Sequence, residues 1–570
     1  MRLDRLRVGS PKRSRTHQFK NLKNVELDFD ERHWVTVLIG WNGTGKSNVL
    51  EALAIIFRDL ISKSRTPEFA FQLAYRMGSG EKTRHIHIDA DPDRGKEPLI
   101  VHIATRAQAA RVAAKAPHGD GLSPRPIAGT RVSLTDFFAE ENLNLPRYVF
   151  SYYSGESTRM YDVFRPYLER YDRRLRQGVD PGLKRLFYAL PVHSQFVLLA
   201  FLIHASDLVR EFIDAQLGID PDDGIDSVLF VLRQPPWKSR TGDPRIWNAR
   251  GIVRDFLSKL FEVSLAPIEI KRSVPVSLWN EETLQFKYLF VKDIQSLRAL
   301  VGAQAPSQFF RDLESTHVSE MIDEVRIRVK LRKNDGEVTF RELSEGEQQL
   351  LTVLGLLRFT AEDESLFLLD EPDTHLNPRW SVDYIDYLKK FVAESATRED
   401  ASHVLLTTHN PLAIAELKLE QVQILAFKLG PEGRRIVACH PEADPKGMGY
   451  AAIVTSDMFG IASTLDPSTQ LKLERQRALA GKDLLTAQEQ IDLDGLNAEL
   501  DRLGFRFFHP DDEFSRYLRL RNERLQALFQ LDDPEELARR AAAMSRKEKE
   551  TLAKELIDEL VSETSPLSAS

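Results

Sequence analysis

The chain has 570 residues, a net charge of −7 and a single cysteine, Cys439. Its length allows about two to four domains with a sizeable apolar core. One cysteine excludes an internal disulfide framework and a zinc site built from cysteines, and the net charge allows only local patches for nucleic acid. No apolar run reaches the roughly 18 residues that a membrane span needs, and the basic first 23 residues lack the apolar core of a signal peptide. These features predict a cytoplasmic protein with no membrane partner.

A phosphate-binding loop lies near the start of the chain. The apolar pattern of a buried strand at residues 35–39 precedes it, and a helical pattern at residues 48–57 follows it. In this context backbone N–H groups and the helix N-terminus cradle phosphates, whereas a plain tight turn would need no such flanks. We expect Lys46 to reach the β- and γ-phosphates of ATP and Ser47 to hold Mg²⁺. The candidate nucleotide-binding residues are Gly40, Asn42, Gly43, Thr44, Gly45, Lys46, Ser47 and Asn48.

Helical patterns dominate the middle of the chain, from residue 156 to residue 324, and turns containing Pro and Gly interrupt them. We predict an α/β fold in which residues 1–155 and 325–436 form a P-loop NTPase head. Residues 156–324 would be a mainly helical insertion that stands off this head. Residues 437–570 would be a C-terminal helical region that docks a partner.

A second motif begins at Leu343 and reads Leu-Ser-Glu-Gly-Glu-Gln. Ser344 and Glu347 have the spacing of a capping box, which predicts a helix N-terminus with free N–H groups. The missing side chain of Gly346 leaves that end open to a phosphate. Taken alone, the motif is better explained as a capped helix.

Two further buried strand patterns end in polar residues. Residues 365–369 lead to Asp370 and Glu371, and residues 403–408 lead to His409. In a doubly wound fold the carboxyl ends of parallel strands lie beside the phosphate loop. We expect Asp370 to hold Mg²⁺, Glu371 to orient or deprotonate the attacking water, and His409 to donate to the γ-phosphate.

The order of these four motifs resembles the heads of ABC-type ATPases of the AAA kind. The resemblance is to the soluble branch with the chromosome-maintenance, RecF-like and overcoming-lysogenization-defect-like ATPases. It implies a homodimer that binds two ATP molecules between its heads, with Ser344, Gly346 and Glu347 facing the nucleotide of the other subunit. It also implies catalytic roles for Lys46, Glu371 and His409. The chain departs from the family after residues 147–153, where a glutamine that senses Mg²⁺ is missing; Ser154, Glu156 and Gln195 are the candidate replacements.

A narrower resemblance, to ATPases of bacterial antiphage systems, is carried by residues 152–155, 371–376 and 458–466. It implies an ATP-hydrolysing subunit that controls a separate nuclease or other effector. One alternative is a RecF- or SMC-like ATPase of DNA repair or recombination without a nuclease partner. A transporter motor is disfavoured because the segment between phosphate loop and signature motif is so long. Asp492 and Asp494 match a nuclease metal site by letter, but their helical pattern predicts a helix surface.

Two sets of residues have uses that the sequence leaves open. Basic residues cluster in segments 1–23, 165–185 and 238–250, with tyrosines or tryptophans among the last two. They could contact DNA or RNA, or they could be solvated faces. Aromatic residues and arginines crowd residues 505–524, where they could form an interface or pack as ordinary core.

Overall fold

The structure is a computed structural model that describes every residue except 13, 114–128, 183, 204–205, 276–280, 333–336, 361–363, 396–401, 431–432, 462, 481–485, 506–511, 531–539, 541–545 and 565–570. The contacts divide the chain into two compact units, Met1–Phe459 and Gly460–Ser570.

The first unit contains both strands and helices. Its strands are β1 (Arg2–Val8), β2 (Val25–Asp28), β3 (Val35–Gly40), β4 (Phe71–Met77), β5 (Arg84–Ala90), β6 (Leu99–Thr105), β7 (Thr130–Val132), β8 (Val149–Tyr153), β9 (Leu186–Tyr188), β10 (Ile225–Arg233), β11 (Leu265–Pro275), β12 (Glu281–Val291), β13 (Ile322–Lys330), β14 (Glu337–Thr339), β15 (Leu366–Asp370), β16 (His403–Thr407), β17 (Val422–Gly430) and β18 (Gly433–Cys439). Its helices are α1 (Lys46–Ile61), α2 (Arg106–Ala113), α3 (Leu134–Ala139), α4 (Glu141–Asn144), α5 (Arg159–Arg176), α6 (Val192–Ile203), α7 (Asp207–Phe212), α8 (Gly251–Val263), α9 (Ile294–Val301), α10 (Pro306–Val318), α11 (Glu345–Thr360), α12 (Pro378–Ser395), α13 (Pro411–Ile414) and α14 (Tyr450–Thr455).

The central sheet of the described residues has seven strands in the order β18-β17-β3-β16-β15-β8-β9. From β17 to β9 all neighbours are parallel, and β18 pairs antiparallel with β17. The predicted α/β P-loop ATPase fold is confirmed. Since β3, β16 and β15 are adjacent, the loops that follow them emerge side by side at one edge of the sheet.

The two faces of the central sheet are covered by different layers. On one face, α1 and the antiparallel sheet β2-β1-β4-β5-β6-β7 enclose an apolar cluster that contains Leu38, Leu368 and Leu405. On the other face, α6, α11 and α12 pack over a cluster that contains Ile39 and Leu369. Neighbouring residues of one strand point to opposite faces, so these strands need apolar residues at every position, which explains their continuous apolar runs.

Residues 156–324 contain the helices that the sequence predicts, α5 to α10, but they also contain strands and do not stand off the head. The antiparallel sheet β11-β12-β10-β13-β14 runs through them, and β9 belongs to the central sheet. Helix α6 is apolar on all sides, and its residues 196–203 are buried in the same cluster as the central strands. A helix that is apolar all round must be covered, so the region is integral to the first unit. The sequence did not reveal these strands because short apolar runs do not distinguish strands from buried helices.

The head also extends beyond residue 436, where the sequence predicts its end. Strand β18 continues to Cys439, helix α14 packs against α13, and the first unit ends at Phe459. The described parts of the second unit are helical, as predicted: α15 (Pro467–Ala480), α16 (Ala487–Arg502), α17 (Asp512–Phe529) and α18 (Arg546–Thr564). Asp492 lies on α16 and pairs with Arg475 at 2.7 Å, as a helix-surface residue does.

Candidate active site

The phosphate loop follows β3 directly and has the backbone that its glycines allow. Gly40, Gly43 and Gly45 have φ angles of 143°, 84° and 93°, in the region that favours glycine. A Cβ on Gly45 would lie 2.8 Å from the Leu22 side chain, whereas a Cβ on Gly43 would meet nothing within 4 Å. Gly45 is therefore required for close packing, and Gly43 leaves an open surface on the loop.

The tip of the loop is exposed and its base is buried. Asn42 and Gly43 are exposed, and Thr44 is buried with its hydroxyl donating to the Trp41 carbonyl at 2.7 Å. Asn48 donates to the Asn21 side chain at 2.7 Å, and Asn21 donates to the Gly43 carbonyl at 2.7 Å. Asn21 thus supports the loop from the β1–β2 connection, a contact that the sequence pattern did not reveal.

Lys46, Glu371 and His409 meet in one cluster, although they are far apart in the chain. Lys46 Nζ lies 2.8 Å from His409 Nε2 and donates to the Gly40 carbonyl at 2.9 Å. His409 Nε2 also lies 3.0 Å from Glu371 Oε1. One ring nitrogen therefore faces a donor and an acceptor and can serve only one of them at a time.

Ionisation in this cluster is shaped by burial and by neighbouring charge. Burial lowers the pKa of Lys46, against the attraction of Glu371 and Asp370. The hydrogen bond with His409 lowers the pKa of Glu371, and the charges of His409 and Lys46 act in the same direction. Glu371 is consequently a carboxylate at neutral pH and can accept a proton.

Asp370 lies at the end of β15 with a side chain that is fully buried. Its Oδ1 accepts from Ser47 Oγ at 3.0 Å and from Thr407 Oγ1 at 2.6 Å. Burial raises the pKa of Asp370, while the bonds from Thr407 and Ser47 and the charge of Arg159 oppose the shift. The predicted pair of metal ligands, Ser47 and Asp370, is therefore in direct contact.

The backbone of Glu371 is in an unusual conformation. Its φ is +52°, which residues other than glycine adopt rarely. Its N–H donates to both the carbonyl oxygen and Oγ1 of Thr407 at 3.1 Å, and Gln349 donates to its carbonyl at 3.4 Å. Such strain costs on the order of 1–3 kcal/mol and persists where neighbours hold it, often at functional sites.

The motif after Leu343 forms the N-terminus of α11, as its capping box predicts. Ser344 Oγ accepts from the Glu347 N–H at 3.2 Å, and Glu347 Oε2 accepts from the Ser344 N–H at 2.7 Å. Gly346 is buried, and a Cβ there would lie 2.5 Å from the His375 carbonyl oxygen, so its missing side chain makes room for this backbone and not, as predicted, for a phosphate. Ser344 is exposed. In the described contacts its side chain binds its own helix end and does not touch the group around Lys46. Its predicted use on the nucleotide of another subunit remains a prediction.

A residue that sequence reasoning missed contacts the carboxylate of Asp370. Arg159 Nη2 lies 3.4 Å from Asp370 Oδ2, and its guanidinium lies 5.1 Å from the centre of the Tyr153 ring. Of the predicted replacements, Ser154 contacts Asp370 through the backbone, because its N–H donates to the Asp370 carbonyl at 3.2 Å. That hydrogen bond involves neither the Ser154 side chain nor the Asp370 carboxylate. The available signal in the sequence was an arginine at the first position of the helix that follows β8.

The basic clusters are partly paired inside the protein. Lys184 is buried in an ion pair with Glu314, and Arg176 pairs with Asp172. The indole N–H of Trp237 donates to a backbone carbonyl at 2.9 Å, which fixes that ring within the fold. These contacts give the paired residues a structural role, and nucleic-acid contact by the remaining exposed cations stays a prediction.

The residues present fit a nucleotide and Mg²⁺. The loop offers N–H groups at a helix N-terminus with an open surface at Gly43, and Lys46 adds a buried ammonium. Ser47 and Asp370 supply the hydroxyl and carboxylate oxygens that Mg²⁺ prefers. The fold and this site define a P-loop ATPase head.

Comparison with known proteins narrows this class. Residues 17–99 match the family described as AAA ATPase domain, and residues 285–415 match the family described as AAA domain, putative AbiEii toxin, Type IV TA system. Over these segments, which together make up less than half of the chain, it is similar to AAA-type ATPases, and it resembles the ATPases of antiphage defence systems. Among the described residues, no helix has both the length and the apolar character to cross a membrane.

Two curated relatives match part of the chain. Septu protein PtuA of Bacillus mycoides (strain KBAB4) is 25% identical over 169 residues, 28% of this chain and 22% of PtuA. The probable peptide export ATP-binding protein YydI of Bacillus subtilis (strain 168) is 31% identical over 111 residues, 18% of this chain and 52% of YydI. The chain thus spans less than a quarter of one relative and about half of the other.

Two solved structures align with 77% of this chain. The Smc head domain of Pyrococcus furiosus, with an extended coiled coil and bound to the C-terminal domain of ScpA, is 12% identical, with a TM-score of 0.27 and 96% of that chain covered. The SMC head domain of Thermotoga maritima is 11% identical, with a TM-score of 0.25 and 99% covered. Both scores are low, so the fold assignment rests on the sheet order and the phosphate loop.

Proposed function

We propose that this chain binds and hydrolyses ATP as one head of an ATP-bridged homodimer. The observation that carries the proposal is the meeting of Lys46, Ser47, Asp370, Glu371 and His409 at the carboxyl ends of three adjacent strands. These side chains come from three separate segments of the sequence. A structural role alone would not require a buried ammonium beside two carboxylates and a histidine.

Each side chain has a defined task in this proposal. The loop N–H groups and Lys46 bind the β- and γ-phosphates, while Ser47 and Asp370 hold Mg²⁺, which neutralises phosphate charge when bound. Glu371 accepts a proton from the attacking water. His409 gives up its contact with Lys46 and donates a hydrogen bond from Nε2 to the γ-phosphate.

We further propose that the dimer controls a separate nuclease or other effector in a bacterial antiphage defence complex. The similarity to Septu protein PtuA supports this role, as does the second unit, which follows the ATPase head. The RecF- or SMC-like alternative would need DNA but no nuclease partner.

The proposal is tested with the purified chain and in cells. Adding Mg²⁺ and a non-hydrolysable ATP analogue should double its mass in light scattering, and Lys46→Ala should abolish the change. Cells that express the chain with its neighbouring genes should resist phage, and Lys46→Ala should abolish resistance. Resistance to DNA damage without phage resistance would favour the RecF-like alternative. DNA cleavage by the pure chain would contradict a separate nuclease.

A further inference from the structure

Asp370 is shared between two sets of partners, one on each carboxylate oxygen. Ser47 and Thr407 donate to Oδ1 at 3.0 and 2.6 Å, whereas Arg159 Nη2 lies 3.4 Å from Oδ2. The Asp370 side chain is fully buried and that of Arg159 is 31% exposed. The aspartate therefore carries a cationic partner on the oxygen that Ser47 does not use.

A divalent cation held by Ser47 and Asp370 would lie close to this guanidinium. Two cations on one buried carboxylate repel each other strongly, because the surroundings screen charge poorly. The carboxylate of Asp370 therefore holds mainly one of the two cations, either the Arg159 guanidinium or the metal. Arg159 and the metal must therefore compete for Asp370.

Arg159 has the freedom and the position to respond. Among the described residues its buried Nε has no hydrogen-bond partner, and the guanidinium is held by one contact to Asp370 and by the Tyr153 ring. It is the first residue of α5, which packs against α1, α8 and α10. A change at Arg159 therefore acts on a helix that contacts both the phosphate-loop helix and the region of residues 251–318.

We propose that Arg159 is a metal-responsive positioning residue: it neutralises Asp370 until Mg²⁺ displaces it, and its release loosens the start of α5. This inference rests on the proposed function. Arg159 sets the metal concentration at which the site loads, and it links loading to α5 without taking part in the chemical step.

Binding of Mn²⁺, a paramagnetic substitute for Mg²⁺, tests the competition without any turnover. The full chain is held in excess over a non-hydrolysable ATP analogue, and free Mn²⁺ is followed by electron paramagnetic resonance. Arg159→Gln removes the charge and should lower the half-saturating Mn²⁺ concentration about fivefold or more. Arg159→Lys keeps a cation and should lower the half-saturating concentration less than Arg159→Gln does.

Arg165→Gln is the matched control, because Arg165 lies on the same helix and pairs at the surface with Asp162 and Glu169. It should leave Mn²⁺ binding unchanged. Hydrogen exchange gives a second readout: metal should speed exchange in the first two turns of α5 in the unmodified chain but not in Arg159→Gln. A merely structural role would loosen α5 equally with and without metal.

Different results would contradict the proposed function and the role of Arg159. If the unmodified chain binds neither the analogue nor Mn²⁺, the proposed function is wrong. If it binds both but Arg159→Gln has an equal or higher half-saturation, or Arg165→Gln matches it, the role of Arg159 is wrong. A tighter site in Arg159→Gln together with metal-insensitive exchange supports it.

Discussion

At the scale of single residues, Glu371 combines a strained backbone with a carboxylate that its neighbours keep ionised. Glu371→Gln keeps the shape and the metal site but removes the proton acceptor. We expect turnover to fall roughly 10²-fold or more, the scale of general-base catalysis, while ATP still binds and the dimer persists. The measurement is steady-state phosphate release beside filter binding of ATP. Glu416→Gln, an exposed substitution, is the control, and unchanged turnover in Glu371→Gln would refute the assignment.

Lys46 is buried beside the Gly40 carbonyl and His409, so its loss acts on binding rather than on the chemical step. Lys46→Ala removes the ammonium that faces the phosphates, and we expect the ATP affinity to fall at least about tenfold. Fluorescent-nucleotide titration measures this loss. Normal affinity in a folded Lys46→Ala protein would show that the loop does not bind phosphate.

Asp373, two residues after Glu371, makes the stability of the fold depend on pH. Burial raises its pKa to about 6, against a hydrogen bond from Thr408. Because the folded-state pKa is above the unfolded value, the native state binds more protons between about pH 4 and 6, and stability falls as the pH rises through that window. The loss, up to about 3 kcal/mol, is complete above the folded-state pKa.

Asp373→Asn should keep the bond from Thr408 and remove this loss. Urea unfolding should therefore show that Asp373→Asn gains stability relative to the unmodified chain as the pH is raised from 4.5 to 7. The comparison between the two proteins isolates Asp373, because other groups also contribute to the total slope: burial raises the pKa of Asp4 to about 6 and lowers that of His87 and of His317 to about 4. The exposed substitution Asp255→Asn should change nothing, and an unaltered slope in Asp373→Asn would disprove the prediction.

At the scale of elements, the exposed N-terminus of α11 is the part of the head suited to a second subunit. Ser344→Arg adds a bulky cation there, so we expect normal ATP binding by the monomer but no ATP-dependent dimer. Ser344→Thr keeps the hydroxyl cap and should dimerise. Light scattering with the ATP analogue checks both variants.

Mixing two inactive variants gives a sharper version of this test. Chains with Ser344→Arg and chains with Lys46→Ala can together rebuild at most one intact composite site. We expect the mixture to recover part of the turnover that each variant lacks alone. Normal hydrolysis by Ser344→Arg alone would show that the site is complete within one chain.

At the scale of the whole molecule, the head and the second unit should separate in function. Leu471, Ile491, Leu528 and Ile557 are more than half exposed on the described helices of the second unit. Exposed apolar side chains of this kind are available to a partner. Phe507 and Phe508, part of the predicted docking segment, lie outside the described residues.

Truncation after Phe459 should therefore spare ATP hydrolysis and abolish effector binding and phage resistance. The head keeps its own apolar clusters, since the first unit ends at that residue. Phosphate release and co-purification with the products of neighbouring genes measure the two effects. Aggregation or loss of ATPase activity in the truncated chain would place the second unit within the head.

Local signals in the sequence determined the phosphate loop, the capped helix at Ser344 and the strand ends at Asp370 and His409. Glycine spacing, a capping box and continuous apolar runs each act over a few neighbouring residues, and the P-loop fold follows from their order. Local signals also determined the helical character of the second unit.

Only the tertiary structure decided what distant segments do together. It placed β9 in the central sheet, built an antiparallel sheet across residues 225–339 and buried α6, because long-range pairing and burial override local patterns. It also brought Arg159 to Asp370, which lies 211 residues further along the chain. A contact of that kind leaves no periodicity in the sequence, since it depends on which strands become neighbours in the sheet.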